Sequence, residues 1–139
     1  MSVRGAILCL AIGAVAPGFV WAQGLPPEMP VSRADLLVRK AGGTLIDVRT
    51  PESWAQTGVP LTAHAISFQS PNFLSSVAEV VGNDKSTPIV LICRTGDVSA
   101  KAREKLLGAG YENVTVIEGG ISAPNGWIDA DLPLRPYSE

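Results

Sequence analysis

The sequence is poor in the residues that build metal sites, disulfide frameworks and strongly charged surfaces. Two cysteines and one histidine in 139 residues are too few for a Cys/His zinc site. Charged residues make up 17% of the chain and the formal net charge is −2, so no basic surface for nucleic acid or for an anionic membrane is expected. Phosphate-binding motifs of the GxGxxG and P-loop types are also absent. We therefore expect no metal, no cofactor and no nucleic-acid partner.

A long unbroken hydrophobic run is missing too, although the first 22 residues are apolar and have the features of an export signal. Arg4 supplies a positive charge, residues 6–16 an apolar segment, and a small-x-small cleavage site ends at Ala22. Gly13 and Pro17 interrupt the apolar stretch, so no transmembrane span is predicted. The sequence thus predicts a periplasmic or secreted protein without stable membrane insertion after cleavage. An uncleaved anchor is the alternative.

Cleavage would leave about 117 residues, enough for one compact domain but not for two. It would also remove Cys9 and leave Cys93 as the single thiol in an oxidising compartment. A disulfide within the mature chain is then impossible. An unpaired thiol in such a compartment calls for a reason, either burial or reactivity. Cys93 is therefore the first candidate for a functional residue.

Apolar periodicity predicts alternating helices and strands. A proline-rich segment over residues 23–30 is expected to be a tether, and the domain is expected to cover 31–139. Strands are predicted at 44–48, 64–67, 89–92 and 114–117, and helices at 32–41, 51–56, 73–81 and 99–107. This order predicts an α/β fold, a central mostly parallel sheet with helices on both faces.

Two helix starts carry recognisable capping residues. Ser32 with Asp35 resembles a capping box at the start of the first helix. Thr50 followed by Pro51 is typical of an N-cap with proline at the first helical position.

Cys93 is predicted to lie where a central strand ends and a helix begins. Residues 89–92 are all apolar, as in a strand buried on both faces, and they lead directly into Cys93. Ligands of parallel sheets bind at this edge, and a turn through Gly96 into a helix directs backbone N–H groups at an anion. The helix N-terminus and Arg94 should favour the thiolate, the nucleophilic form. Alternatively, Cys93 is only a small buried hydrophobic residue at a strand end.

Five short motifs occur in order along residues 31–135. They are Leu45-Ile46-Asp47-Val48-Arg49 with Pro51-Glu52, Cys93-Arg94-Thr95-Gly96 with Ser99-Ala100, Gly110-Tyr111-Glu112-Asn113-Val114, Glu118-Gly119-Gly120-Ile121 and Gly126-Trp127. In order and spacing the chain resembles the rhodanese-like domain family. Each motif alone is weak, but five in succession are specific.

The resemblance implies a thiosulfate sulfurtransferase of the rhodanese type. In it, Cys93 would accept a sulfane sulfur from a thiosulfate-like donor as a persulfide. The sulfur would pass to a thiol, to cyanide or to a protein acceptor. The resemblance also assigns supporting roles: the loop residues Arg94, Thr95, Gly96, Asp97 and Val98 would cradle the persulfide, and Asp47, Arg49 and Ser99 would support that loop. For Asp47 and Arg49 an ordinary surface ion pair is the alternative.

The chain departs from the family pattern at the loop. The sixth loop position, often Arg or another polar residue in this family, is Val98, so one cationic contact to an anionic donor is missing. Asp97 adds a negative charge that would repel thiosulfate. Residues 58–63 lack the histidine that often follows the glycine here. These departures leave the fold intact and make the identity of the donor uncertain.

Other side chains and other functions are less well supported. For the single histidine, His64, and for Trp54 and Trp127, we expect structural roles. A cysteine phosphatase would need an arginine six positions after the cysteine, where the chain has Ser99. The remaining alternative is a non-catalytic rhodanese-fold module that binds a partner or senses redox state.

The signal-peptide hypothesis predicts a mature protein that begins at Gln23. The intact mass of the protein released by osmotic shock should correspond to residues 23–139. Full-length protein retained in the membrane fraction would contradict the prediction and favour the anchor.

Overall fold

The computed structural model describes residues 24–138. The helices are α1 (Val31–Lys40), α2 (Pro51–Thr57), α3 (Phe73–Val81) and α4 (Asp97–Gly108). The strands are β1 (Glu28–Met29), β2 (Thr44–Asp47), β3 (Val59–Pro60), β4 (His64–Ala65), β5 (Ile89–Ile92), β6 (Val114–Ile117) and β7 (Leu134–Arg135). The predicted signal peptide, 1–22, lies outside the described residues. Within 24–138, no helix is both long and apolar enough to cross a membrane.

The predicted α/β fold is confirmed. Five strands form one sheet in the order β1-β6-β5-β2-β4, and every neighbouring pair in it is parallel. Strands β3 and β7 form a separate antiparallel pair. All four residues of β5 are fully buried, as their uniformly apolar sequence predicts.

Two apolar clusters cover the two faces of the sheet. Val90 and Ile92 of β5 belong to a cluster that includes Ala34 and Leu37 of α1. The alternate residues Ile89 and Leu91 belong to the other cluster, which is completed by Phe73 and Val77 of α3 and by Ala102 and Leu106 of α4. The alternation shows that helices cover both faces, because successive side chains of a strand point to opposite sides.

The proline-rich segment differs from the expected tether, because its described part is built into the fold. Glu28 and Met29 form β1, which pairs in parallel with β6 at the edge of the sheet. Leu25 and Met29 are buried in the cluster on the α1 face. Two residues are too few to show a period-2 pattern, so only the tertiary contact identifies this strand.

The two predicted helix caps have opposite outcomes. Thr50 caps α2, since its hydroxyl accepts a hydrogen bond from the Ser53 amide at 3.3 Å. The capping box at Ser32 is wrong: α1 begins one residue earlier, Pro30 occupies the N-cap position, and no side chain caps the helix. Asp35 instead pairs with Arg39 across one helical turn, at 2.7 Å.

A buried ion pair attaches α2 to the end of β2. Asp47 and Arg49 are 0% and 6% exposed, and the Arg49 Nη2 to Asp47 Oδ2 distance is 2.8 Å. The guanidinium also donates to the Thr57 hydroxyl at 2.7 Å and to the Gly58 carbonyl at 2.8 Å. The alternative of a surface ion pair is therefore wrong, and the Arg49 hydrogen bonds reach α2 and Gly58.

Breaking the Asp47–Arg49 pair should destabilise the fold. Arg49→Met leaves the Asp47 carboxylate buried without its partner, which should lower the free energy of unfolding by about 3 to 5 kcal/mol. The double variant Asp47→Leu/Arg49→Met should lose less, because no uncompensated charge remains. Urea unfolding measures both.

The matched control is Arg39→Met, which breaks the exposed pair with Asp35. Its effect should be much smaller, because water screens exposed pairs. Equal destabilisation by Arg39→Met and Arg49→Met would contradict the structural role assigned to the buried pair.

Candidate active site

Cys93 lies directly after β5, at the carboxyl edge of the sheet. It is a free thiol, is only 2% exposed, and packs in the cluster shared by α3 and α4. The hydrogen bonding between β2 and β5 continues one residue beyond Asp47, because the Val48 amide donates to the Ile92 carbonyl at 2.9 Å. The sequence-based placement of Cys93 at the end of a central strand is thus what the structure shows.

Backbone amides of the following turn point at the sulfur. The Gly96 amide donates to Cys93 Sγ at 3.0 Å, and the Ser99 amide donates to it at 3.4 Å. Gly96 has φ = +122°, a backbone conformation that residues with a side chain rarely adopt. Helix α4 begins at Asp97, immediately after it. Two N–H donors and a helix N-terminus therefore stabilise negative charge on this sulfur.

The remaining loop side chains form an exposed rim around the buried sulfur. Arg94, Thr95 and Asp97 are exposed, and Val98 is 39% exposed. The loop thus exposes one cation, one anion and one apolar side chain to an approaching molecule. The predicted loop residues are therefore adjacent to the sulfur, but it is backbone N–H groups that contact it.

A cleft of about 400 Å³ adjoins the rim on the side of β1 and β6. Its polar lining comprises Glu28, Thr95, Asp97, Arg103 and Glu104. The Arg103 guanidinium donates to the Val114 carbonyl at 2.8 Å. Three carboxylates against one arginine make this approach to the loop unfavourable for an anion.

Sequence reasoning missed the turn that holds the start of the loop. The Ile121 amide donates to the Cys93 carbonyl at 2.8 Å, and the Ser122 amide donates to the Arg94 carbonyl at 3.2 Å. The available sequence signal was the pair of consecutive glycines, which marks a turn. Nothing in that pair indicated that residues 120–122 contact Cys93 and Arg94, because this is a contact between distant parts of the chain.

The other predicted residues take different positions. Ser99 is fully buried and contributes its amide to the sulfur, while its hydroxyl has no hydrogen-bond partner among the described residues.

Asp47 and Arg49 make no hydrogen bond to the Cys93 loop within 24–138, and their link to it runs through the pairing of Asp47 with Ile92. Trp54 and Trp127 are buried, as structural roles require.

Two further observations limit the chemistry of the described region. His64 is exposed in the edge strand β4, which is separated from β5 by β2. Residues 24–138 hold no group of three or more His, Cys, Asp or Glu side chains placed to bind a metal ion. The reactive group that the arrangement offers is therefore the Cys93 thiol.

Comparison with known sequences identifies the family. The family model of the rhodanese-like domain matches residues 32–125. Thiosulfate sulfurtransferase 16, chloroplastic, of Arabidopsis thaliana is 37% identical over 120 residues, covering 80% of this chain and 94% of the relative. Thiosulfate sulfurtransferase GlpE of Pseudomonas syringae pv. syringae is 27% identical over 96 residues, covering 69% of this chain and 80% of the relative.

Solved structures share the fold. The solution structure of the polysulfide-sulfur transferase homodimer from Wolinella succinogenes aligns with a TM-score of 0.63 at 26% identity, covering 85% of this chain and 82% of that chain. The rhodanese-like domain of Anabaena Alr3790 gives a TM-score of 0.66 at 21% identity and covers 81% of each chain, which shows the fold alone. Because the family match spans 32–125 and includes the turn at Cys93, the chain belongs to the rhodanese-like domain family.

Proposed function

We propose that the protein is a sulfurtransferase that carries a sulfane sulfur on Cys93. The observation that supports this most directly is the pair of amides, from Gly96 and Ser99, that donate to the Cys93 sulfur. The names of relatives that are 27% and 37% identical point to the same chemistry. A periplasmic or secreted location is part of the proposal and rests on the signal-like residues 1–22.

The proposed reaction has two displacement steps at sulfur. The Cys93 thiolate attacks the outer sulfur of a donor such as thiosulfate, the S–S bond breaks, and sulfite leaves with the electron pair. Cys93 then bears a persulfide. A thiolate or cyanide acceptor attacks the outer sulfur and the Cys93 thiolate is released, so no redox cofactor is needed.

The loop amides suit both forms of the cysteine. Thiolate and persulfide each carry negative charge at or next to Cys93 Sγ, where the Gly96 and Ser99 amides donate. Because these donors belong to the backbone at the start of α4, they need little reorganisation as the charge moves. Cys93 as a whole is 2% exposed, so little water reaches the sulfur.

Charges at the rim bear on the donor. Asp97 and the carboxylates of the adjoining cleft oppose a dianion, and Val98 offers it no charge. We propose that thiosulfate is a weak donor for this protein, bound with a high KM. A polysulfide is a second donor to test, since the Wolinella succinogenes relative is described as a polysulfide-sulfur transferase.

A non-catalytic binding or redox-sensing module is the second candidate function. Cys93 is only 2% exposed, and this deep burial favours a non-catalytic module, because a sulfur carrier needs a thiol that donors can reach. The two candidates differ in one observable: only a sulfurtransferase acquires and then loses a sulfur atom on Cys93.

The proposed mechanism makes a direct prediction about Cys93. Incubated with thiosulfate or polysulfide, the purified protein should gain one sulfur atom on Cys93, measured by intact mass and peptide mapping, and should lose it when cyanide is added. Cys93→Ser should abolish both steps, because a serine hydroxyl cannot form the persulfide.

Cys9→Ser is the matched control and should transfer sulfur normally, because Cys9 lies in the predicted signal peptide. Transfer that survives in Cys93→Ser would exclude the mechanism. Absence of any sulfur on wild-type Cys93 with either donor would favour the binding module.

A separate prediction concerns donor charge. Asp97→Asn should raise kcat/KM for thiosulfate, mainly through KM, because the charge acts on the bound donor as much as on the transition state. Since Asp97 is exposed, water screens it, and a gain of up to about fivefold is expected. Val98→Arg should give a larger gain by adding a cation to the loop.

Glu104→Gln is the control, because it removes the same charge from the cleft two turns further along α4. Its effect should be smaller, and the gain from Asp97→Asn should shrink at high salt. Unchanged thiosulfate kinetics in both Asp97→Asn and Val98→Arg would contradict the electrostatic account of donor choice.

A further inference from the structure

The start of the sulfur-carrying loop lies unusually close to another stretch of backbone. Gly120 has φ = +53°, and a Cβ atom built on it would collide with the Cys93 carbonyl oxygen. The same Cβ would lie 2.6 Å from the Arg94 carbonyl oxygen and 2.7 Å from the Arg94 carbonyl carbon. These neighbours are backbone atoms, which cannot rotate away as a flexible side chain could.

Consecutive hydrogen bonds hold the two segments together. The Ile121 amide donates to the Cys93 carbonyl and the Ser122 amide to the Arg94 carbonyl, at 2.8 and 3.2 Å. The Ser122 hydroxyl adds a longer contact to the Arg94 carbonyl, at 3.4 Å. These bonds fix the orientation of the peptide groups that follow Cys93 and Arg94. From there the chain turns so that the Gly96 amide points back at Cys93 Sγ.

The turn is itself anchored in the core. The Trp127 amide donates to the Gly120 carbonyl at 2.8 Å, and the Ile128 amide donates to the Ile121 carbonyl at 3.1 Å. Trp127 and Ile121 are 2% and 1% exposed. On the other side of the contact, Cys93 is buried and Arg94 is exposed at the rim. An added side chain at Gly120 would therefore displace the Arg94 end of this contact more readily than the turn.

We propose that Gly120 is a positioning residue for the Cys93 sulfur. Its missing side chain allows residues 120–122 to hold the Cys93 and Arg94 carbonyls, and this contact sets the path by which the Gly96 and Ser99 amides reach the sulfur. The role in turnover rests on the proposed sulfurtransferase function. The geometric role does not, because the amide contacts exist with or without a transferred sulfur.

Gly119 offers a matched control. Its φ is +76°, and a Cβ there would meet the Pro124 carbonyl at 2.8 Å and the Gly126 nitrogen at 2.9 Å. Alanine at position 119 would have to adopt a positive φ and would collide with backbone atoms, as alanine at position 120 would. The collision, however, is with residues 124–126 and not with the Cys93 loop.

The experiment compares Gly120→Ala with Gly119→Ala. Both should lower the melting temperature by similar amounts. Only Gly120→Ala should lower kcat for sulfur transfer by about tenfold or more, since a small displacement of a reacting group has effects of this size. Gly119→Ala should keep kcat within about threefold of wild type.

The second readout is the amide NMR spectrum before and after alkylation of Cys93 with iodoacetamide. The Gly96 and Ser99 resonances should respond to alkylation in the wild type and in Gly119→Ala. In Gly120→Ala they should start from altered positions and respond less, because their hydrogen bonds to the sulfur are weakened. Equal kcat values and equal responses in the two glycine variants would overturn the proposal.

If Gly120→Ala does not fold, Ser122→Ala provides the test, because it removes only the side-chain contact to the Arg94 carbonyl. It should move the Gly96 amide resonance, whereas Ser75→Ala, whose hydroxyl donates to the Asn72 carbonyl at the start of α3, should leave it in place. An unmoved Gly96 resonance in Ser122→Ala would then overturn the proposal. A wild-type protein that transfers no sulfur would refute the proposed function and leave the NMR arm able to decide the positioning role.

Discussion

Strand β5 is hydrogen-bonded along both of its edges, and this pairing positions both the neighbouring strands and Cys93. The β5 residues pair with β2 from Thr44 to Asp47 and with β6 from Val114 to Val116, and all four are fully buried. A shift of one residue would exchange the side chains of the two faces and break both apolar clusters. Cys93 follows β5 directly, so this register also fixes where the sulfur leaves the sheet.

Backbone groups make the contacts that define the environment of the sulfur, and side chains form its rim. The Gly96 and Ser99 amides contact Sγ, whereas Asp97 and Val98 are exposed. Substitutions at the rim can therefore change which donors approach without removing the groups that stabilise charge on sulfur. This separation explains how Asp97 and Val98 can stand at the rim without removing the amide contacts to Cys93.

The elements that the sequence did not predict share one physical property. Strands β1, β3 and β7 are two residues long and exist because distant segments meet. Strand β4 is equally short, and only the first two residues of the predicted range 64–67 form it. The turn at residues 120–122 is similar, since its Ile121 and Ser122 amides contact the Cys93 and Arg94 carbonyls through backbone atoms that carry no side-chain signature. At α1 the local signal misled, because Pro30 occupies the N-cap position expected for Ser32.

Features that arise from neighbouring residues follow from the sequence: the Thr50 cap, the buried strand at 89–92, the glycine that lets the chain turn at 96, and the thiol between that strand and that glycine. The long-range partners of these features depend on tertiary packing. The sequence analysis offered Asp47 and Arg49 either as supports of the loop or as a surface ion pair. Only the packed chain buries the pair and directs the guanidinium to Gly58 rather than to the loop. The physical reason is that periodicity and propensity act over a few residues, whereas these contacts depend on how the sheet and the covering segments bring distant backbone together.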